Sequence, residues 1–196
     1  MSYQKKEIYI VVCEGASEKA YLQELNRYLD DKDYPFIFVA KPINNGHYKP
    51  ATLKYKSVKK DNPHSDIHIW VDKDTYIRND EGDGDKYKNK PKTIPDFLFS
   101  YNNFEDFLSM HLPDDLLAKW QNICSSNNHF ENPMHSVTYE PLYNDNIING
   151  YKKGEMPFAI DGGHIEKLLQ NQENKGIYFK SDLAILLRTL CNKANI

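Results

Sequence analysis

The sequence predicts an α/β fold with a mostly parallel sheet, helices on both faces and a helical C-terminal extension. Two apolar, β-branched runs, at residues 8–13 and 67–71, are typical of strands that are buried on both faces of a parallel sheet. Strands and helical patterns alternate through the first half of the chain, which indicates the α/β class. With 196 residues, of which 40% are hydrophobic, the chain is long enough to bury one core.

The elements of the first half follow from local patterns. After the first strand, Ser17 is expected to cap a helix that runs to about Asp30, because apolar residues recur there at helical spacing. A strand at 36–40, a short Lys-rich helix at 50–60 and the strand at 67–71 come next. Residues 75–95 are polar and rich in Asp, Lys, Gly and Asn, so they predict a long loop.

The second half is more helical. A short strand at 97–99 precedes two predicted helices, one with Phe104, Phe107, Leu108, His111 and Leu112 on one face and one at 115–124. Residues 125–160 are rich in Asn and Tyr and give no assignment. Two helices are expected to close the chain, from His164 to Gln170 and from Ser181 onward. The predicted organisation is an α/β core over residues 1–112 and an extension over 113–196, packed as one compact domain.

Composition excludes several classes of protein. The net charge of −3 favours no polyanionic partner, so a nucleic-acid surface would have to be a local patch. Three cysteines, Cys13, Cys124 and Cys191, form no C-x-x-C unit, which argues for buried free thiols and against disulfides or a zinc site. The apolar run near the N-terminus has about six residues, too few for a signal peptide or a membrane span. These features predict a cytoplasmic protein.

Acidic residues follow both buried runs directly. Glu14 follows the first, and Asp72 and Asp74 follow the second. The carboxyl ends of parallel strands meet at one edge of a sheet, where ligands bind. Converging carboxylates repel one another unless a cation neutralises them, and oxygen ligands suit Mg²⁺ or Mn²⁺. Gly15 would permit close approach to a phosphate, and Glu14 is a candidate acid or base. Single acids at strand ends also serve as turn formers, which is the structural alternative.

These residues resemble the Toprim pattern: an apolar strand, Glu-Gly, a helix, a second apolar strand and D-x-D. More narrowly, the chain resembles the RloB-like branch of bacterial phage-defence proteins and is similar to the Toprim domains of OLD-family nucleases. The segment Ser100–Phe107, with His111 after it, is similar to a Ser-Asn-x-x-Phe-Glu helix of that branch. The resemblance spans residues 7 to about 112.

The resemblance implies a Mg²⁺-dependent nuclease that acts on DNA or RNA, with Mn²⁺ as a substitute and a companion ATPase or restriction-type protein as a candidate partner. It also implies that Glu14, Asp72 and Asp74 hold metal. Two further acids would join them, Glu18 and Glu105, each of which has a structural alternative as an ordinary helix residue. His111 would lie beside the site or pack in the core.

Two lysine clusters flank the D-x-D segment in sequence and would suit a polyanion, although a solvated surface is an equal alternative. They pair lysines with Tyr48, Tyr55 and Tyr87, whose rings would stack on bases. Lys180, before the last helix, is a further candidate for a phosphate contact. The clustered lysines are Lys54, Lys56, Lys59 and Lys60 in the first group and Lys86, Lys88, Lys90 and Lys92 in the second.

Three other functions remain open. A phosphatase would use Asp72 as nucleophile, but Tyr76 stands where that class has Thr or Val, and a nucleotide-sugar transferase would leave Glu14-Gly15 unexplained. A non-catalytic, Toprim-like sensor would bind a nucleotide or a partner protein through residues 125–160 and the helical end.

Overall fold

The fold is α/β, built on a five-stranded sheet, as the sequence predicts. The computed structural model describes residues 5–44, 46–78 and 82–194. The strand order is β2-β1-β3-β4-β5; the first four strands are parallel, and the last pairs antiparallel with its neighbour. The strands are β1 (Glu7–Cys13), β2 (Phe36–Pro42), β3 (Asp66–Asp72), β4 (Phe97–Tyr101) and β5 (Lys180–Ser181).

Helices connect and cover these strands. In the described part of the chain they are α1 (Ala16–Asp31), α2 (Tyr48–Asp61), α3 (Asp74–Arg78), α4 (Asp83–Lys88), α5 (Phe104–Ser109), α6 (Asp114–Ser126), α7 (Ser136–Asn146), α8 (Gly162–Glu173) and α9 (Asp182–Lys193).

The structure corrects three predictions about these elements and adds one helix. The expected loop at 75–95 contains α3 and α4, and α7 lies in the stretch that had no assignment. Gly15, not Ser17, precedes the first turn of α1, where the carboxylate of Glu18 accepts a hydrogen bond from Gly15 N at 2.8 Å. The helix after β4 ends at Ser109, so His111 lies in the turn that follows it.

Side chains alternate between two hydrophobic cores, one on each face of the sheet. Tyr9, Val11 and Cys13 of β1 join a core that includes α1, α5, α6, α8 and α9. Ile10 and Val12 point to the other face, where α2 and Tyr87 of α4 cover them. Burial on both faces explains why β1 and β3 are largely apolar, with the half-buried His68 as the polar residue inside the apolar run of β3. The three cysteines are buried and free, as predicted.

The chain order creates a topological switch point between β1 and β3. From β1 the chain passes through α1 to β2 on one side, and through α2 to β3 on the other, with the two helices on opposite faces. In open parallel sheets such a reversal opens a crevice beyond the carboxyl ends of the two strands. Glu14 follows β1 and Asp72 ends β3, so both lie at this crevice.

The C-terminal segment is integrated with the core. It contributes β5 to the sheet, and Asp182, the first residue of α9, accepts a hydrogen bond from Phe99 N of β4 at 3.0 Å. Apolar residues of both segments share one core. In the described ranges, no helix is both long and apolar enough to cross a membrane.

Candidate metal centre

Glu14 lies at the mouth of the crevice and is held from two sides. Its Oε2 accepts a hydrogen bond from Asp72 N at 3.2 Å, which links the ends of β1 and β3. Gly46 packs against its carboxylate so closely that a Cβ at that position would lie 2.3 Å from Oε2. Burial, followed by repulsion from Glu18 and Asp74, raises the pKa of Glu14 to about 8.

Asp72 ends β3 and is 8% exposed. Its Oδ2 accepts a hydrogen bond from Phe104 N, at the start of α5, at 3.1 Å. Its Oδ1 is buried and has no hydrogen-bond partner in the described part of the chain. Burial, with repulsion from Glu14, Glu18, Asp74 and Glu105, raises the pKa of Asp72 well above its usual range. A buried carboxylate oxygen without a donor is costly, and a cation would relieve that cost.

Two helical acids complete the buried group. Glu18, in the first turn of α1, is buried, and burial raises the pKa of its carboxyl. Glu105 of α5 is fully buried, which excludes the alternative that it is a solvated helix residue. Tyr151 donates a hydrogen bond to Glu105 Oε1 at 2.8 Å, while Oε2 has no partner in the described residues. Burial raises the pKa of Glu105 to about 7.

Asp74 stands apart from the other acids in its local geometry. The strand ends at Asp72 and Asp74 begins α3, so the backbone of the D-x-D segment turns at Lys73. Asn102 O accepts hydrogen bonds from the backbone N–H groups of Lys73 at 3.0 Å and Asp74 at 3.2 Å, which fixes the turn. Asp74 also forms an ion pair with Arg78 at 3.0 Å. Its charge nevertheless contributes to the raised pKa values of Glu14 and Asp72.

A cavity of about 280 Å³ opens onto this group, and Glu14, Glu18 and Asp72 line it. Lys153 also lines the cavity, from the segment after α7, and forms an ion pair with Glu140 at 3.1 Å. Burial opposes the charge of Lys153, but Glu105, Glu140 and Asp72 outweigh it and raise its pKa. Gly154 N donates to Ser17 Oγ at 3.0 Å, which ties this segment to α1. No pattern in the sequence pointed to Lys153, because residues 125–160 show no clear periodicity.

This donor set fits a hard divalent cation. The buried carboxylates offer oxygen atoms only, as Mg²⁺ and Mn²⁺ prefer, and two of these atoms, Asp72 Oδ1 and Glu105 Oε2, lack donors in the described chain. The raised pKa values have a common physical cause, since the acids are desolvated together and repel one another. A bound cation would offset both the desolvation of these carboxylates and their mutual repulsion.

Several predicted phosphate contacts have other roles. The N–H of Gly15 is used by Glu18, so it does not face a phosphate. The ammonium group of Lys180 donates to the carbonyls of Asn171, Gln172 and Asn174, which are the orphan acceptors at the end of α8. Lys180 is therefore a structural capping residue.

The remaining residues divide between surface and core. Lys86 forms an ion pair with Asp83 at 2.9 Å, and Tyr87 is buried with its hydroxyl donating to Gly46 O, so its ring does not stack on bases. His111 is a buried core residue within 3.0 Å of the Tyr21 hydroxyl, and burial lowers its pKa to about 3. Four lysines lie along α2, away from the lining of the acidic cavity: Lys54, Lys56, Lys59 and Lys60.

A second buried group lies behind the centre. Asp106, Cys124 and His129 place potential ligand atoms within 4.8 Å of one another, an arrangement that their spacing in the sequence did not predict. Hydrogen bonds already occupy these atoms. The three side chains therefore do not need a metal.

Asp106 receives five donors. Its Oδ2 accepts from Asn102 N, Asn103 N and His129 Nε2 at 2.8, 3.1 and 2.8 Å. Its Oδ1 accepts from Trp120 Nε1 at 2.7 Å and from the Cys124 thiol at 3.9 Å. His129 Nδ1 accepts from Met134 N, so the imidazole carries its proton on Nε2. Burial and Asp106 raise the pKa of the Cys124 thiol, which disfavours the thiolate that a metal requires.

Comparison of the chain with protein-family models, with curated proteins and with solved structures gave no significant match.

Proposed function

We propose that this protein is a Mg²⁺-dependent phosphodiester hydrolase that acts on nucleic acid. The observation that carries the proposal is the group of buried carboxylates at the switch point, in which Asp72 Oδ1 and Glu105 Oε2 have no donor among the described residues. Repulsive acids are retained at such a position when a cation is part of the functional state. The Toprim pattern of Glu14-Gly15 and Asp72-x-Asp74 supports the same chemistry.

The acidic residues have different proposed roles. Asp72, Glu14 and Glu18 line the cavity and would hold the cation, with Glu105 and Asp74 adding negative charge behind them. When bound, the cation supplies Lewis-acid polarisation of the phosphoryl group and activates water. The pKa of Glu14 is raised to about 8 only while no cation is bound, and a cation would lower it again, so Glu14 is assigned to metal binding and not to proton transfer.

Lys153 supplies positive charge in the same cavity. Its ammonium group would stabilise negative charge that develops on the phosphoryl oxygens, provided that it leaves Glu140 for the substrate. The Glu140 pair is half exposed at its lysine, so exchanging it for a phosphate contact costs little.

The biological setting is proposed on the resemblance alone. An RloB-like protein would act in bacterial phage defence, where a companion ATPase or restriction-type protein would control access to the substrate. Cleavage by the chain alone, compared with cleavage after addition of such a partner, measures that dependence.

Cleavage of end-labelled DNA and RNA oligonucleotides with Mg²⁺ or Mn²⁺ tests the activity. We expect metal-dependent cleavage that falls more than about 100-fold in Asp72→Asn, because even residues that only hydrogen-bond to a metal's ligands contribute about 10- to 100-fold. Asn keeps the acceptor for Phe104 N, so the fold is retained. Asp114→Asn is the matched control, since that side chain is 79% exposed.

Two outcomes contradict the proposal: no cleavage of any nucleic acid with either metal, or equal cleavage by Asp72→Asn and the parent protein. Parallel assays with bis(p-nitrophenyl) phosphate and p-nitrophenyl phosphate separate a diesterase from the phosphatase alternative. Faster turnover of the monoester would favour the phosphatase.

A further inference from the structure

An aromatic groove with lysines at its rim lies on the face of the sheet opposite α1. Its volume is about 260 Å³. We define the tyrosine–lysine groove by five of the residues that line it, Lys73, Tyr76, Lys88, Phe99 and Tyr101. Phe99 forms its floor, with ring centroids 5.7 Å from Tyr76 and 6.4 Å from Tyr101.

The tyrosine faces in this groove are covered by lysine ammonium groups. Lys73 Nζ lies 3.8 Å from the ring centroid of Tyr101 and 5.7 Å from that of Tyr76. Lys88 Nζ lies 5.7 Å from the Tyr76 ring. Both tyrosines are partly exposed, so a flat ligand that displaced the ammonium groups would find ring surface beneath them.

The lysines that line the groove differ in their partners. Lys90 forms an ion pair with the groove residue Asp96 at 2.9 Å, whereas Lys73, in the described part of the chain, has only the charge of Asp182 acting on it. Within the described residues, no carboxylate lies within ion-pair distance of Lys73, whose ammonium contacts the tyrosine rings instead. Lys88 has Asp85 as its ion-pair partner at 4.0 Å, and that aspartate is 76% exposed. Surface pairs of this length contribute little, so both ammonium groups are available to an anion.

The groove adjoins the acidic centre across one turn of backbone. Lys73 stands between Asp72 and Asp74, whose Cα atoms are at most about 7 Å apart. The Asp72 side chain accepts from Phe104 N on the α5 face, whereas Lys73 contacts Tyr76 and Tyr101 on the other side. The acidic centre and the groove therefore lie on the two sides of the same short stretch of backbone.

We propose that the tyrosine–lysine groove binds an unpaired nucleotide of single-stranded DNA or RNA next to the acidic centre. The base stacks on Tyr101 or Tyr76, and a neighbouring phosphate contacts Lys73 or Lys88. Bases in a duplex are stacked on each other and present no free face, so the groove selects single strands. The inference rests on the proposed function and names its substrate class.

Fluorescence anisotropy of labelled oligonucleotides in EDTA tests binding without cleavage. We expect the parent protein to bind oligo(dT) or oligo(rU) more tightly than the matched duplex. Tyr101→Leu should weaken single-strand binding about 5- to 100-fold, whereas Tyr101→Phe keeps the ring and the affinity. Lys73→Gln should weaken binding and reduce its salt dependence, while Lys175→Gln, an exposed position in the turn after α8, serves as the matched control.

A fluorescence measurement on the parent protein alone provides a second test of stacking. A 2-aminopurine in the single strand should lose fluorescence on binding the parent protein, because stacking on a tyrosine quenches it. The proposal is overturned if the parent binds no single strand, if duplex binds as tightly, or if Tyr101→Leu and Tyr101→Phe bind equally. Because these measurements contain no metal, binding without later cleavage would contradict only the hydrolase proposal, and cleavage without binding here would contradict only the groove.

Discussion

Glu105 and Asp106 are consecutive residues of one helix, both fully buried, and they belong to opposite kinds of site. Asp106 receives five hydrogen-bond donors, which satisfy both of its oxygens. Glu105 receives one, from Tyr151, and one of its oxygens is left without a partner in the described chain. The number of donors per carboxylate, more than burial itself, separates a structural acid from one that fits a cation.

The two groups are also mechanically connected. Asp106 holds the backbone N–H of Asn102, and Asn102 O in turn accepts from the N–H groups of Lys73 and Asp74. Asp106, whose two oxygens both have donors, therefore fixes the turn that follows Asp72. The hydrogen bonds to Asp106 thus help to hold the mutually repulsive acids in place. Substitutions made separately in the two groups test whether they differ in this way.

The largest expected effect on stability comes from substituting Asp106. Asp106→Asn places an amide N–H₂ against groups that are themselves donors, so buried donors lose their acceptor. We expect the free energy of unfolding to fall by about 3 to 5 kcal/mol, as when one partner of a buried charged network is removed. Urea denaturation, followed by circular dichroism, measures the change.

Asp114→Asn is the control for that loss, because its ion pair with Lys167 lies on the surface and should contribute at most about 1 kcal/mol. Metal addition sharpens the test. If Zn²⁺ stabilised the parent protein and Asp106→Asn removed that effect, the Asp106, Cys124 and His129 group would be a metal site and the comparison would fail.

The next largest effect is a loss of stability with rising pH, which a divalent metal ion should reverse. The pKa values of Glu14 and Glu105, about 8 and 7, lie above the usual 4.5, so the native state binds more protons than the unfolded state. Without metal, the free energy of unfolding should therefore fall as pH rises from about 4.5 to 8. Below about pH 4.5 both carboxyl groups are protonated in the native and the unfolded state, so this loss of stability is absent. Mg²⁺ or Mn²⁺ at 100 times its dissociation constant should restore about 2.7 kcal/mol at pH 8.

Thermal melts in EDTA and in metal, at pH 5 and pH 8, measure this prediction. Asp72→Asn is the informative variant, because it removes one of the repelling charges and one ligand. Its melting temperature in EDTA should depend less on pH than that of the parent, and metal should not raise it. A parent protein that becomes more stable with rising pH in EDTA would contradict the raised pKa values.

The sequence predicted the sheet and its acids because both follow from simple rules. Continuous apolar runs identify β1 and β3, and parallel strands must bring the residues that follow them to one edge. That reasoning reaches Glu14 and Asp72. It does not reach Lys153, which enters the cavity through a tertiary contact of a segment without periodicity.

Local patterns also cannot show which polar groups are already used. Gly15 and Lys180 match phosphate-binding positions in sequence, but a carboxylate takes the N–H of the first and three carbonyls take the ammonium of the second. The helix that begins at Asp74 has five residues, too short for periodicity to reveal. These features depend on tertiary packing, which overrides local propensity.

The smallest effect expected is the sharpest test of the acidic centre, because it changes no charge. A Cβ at residue 46 would lie 2.3 Å from Glu14 Oε2, so Gly46→Ala must move that carboxylate. We expect metal affinity, measured by titration calorimetry, to fall about tenfold, or about 1.4 kcal/mol. Gly162→Ala is the control, because among the described residues its Cβ would meet only Tyr28 Oη, at 3.9 Å. Unchanged affinity in Gly46→Ala would mean that Glu14 is not a ligand, and the centre would then lack the carboxylate that joins β1 to β3.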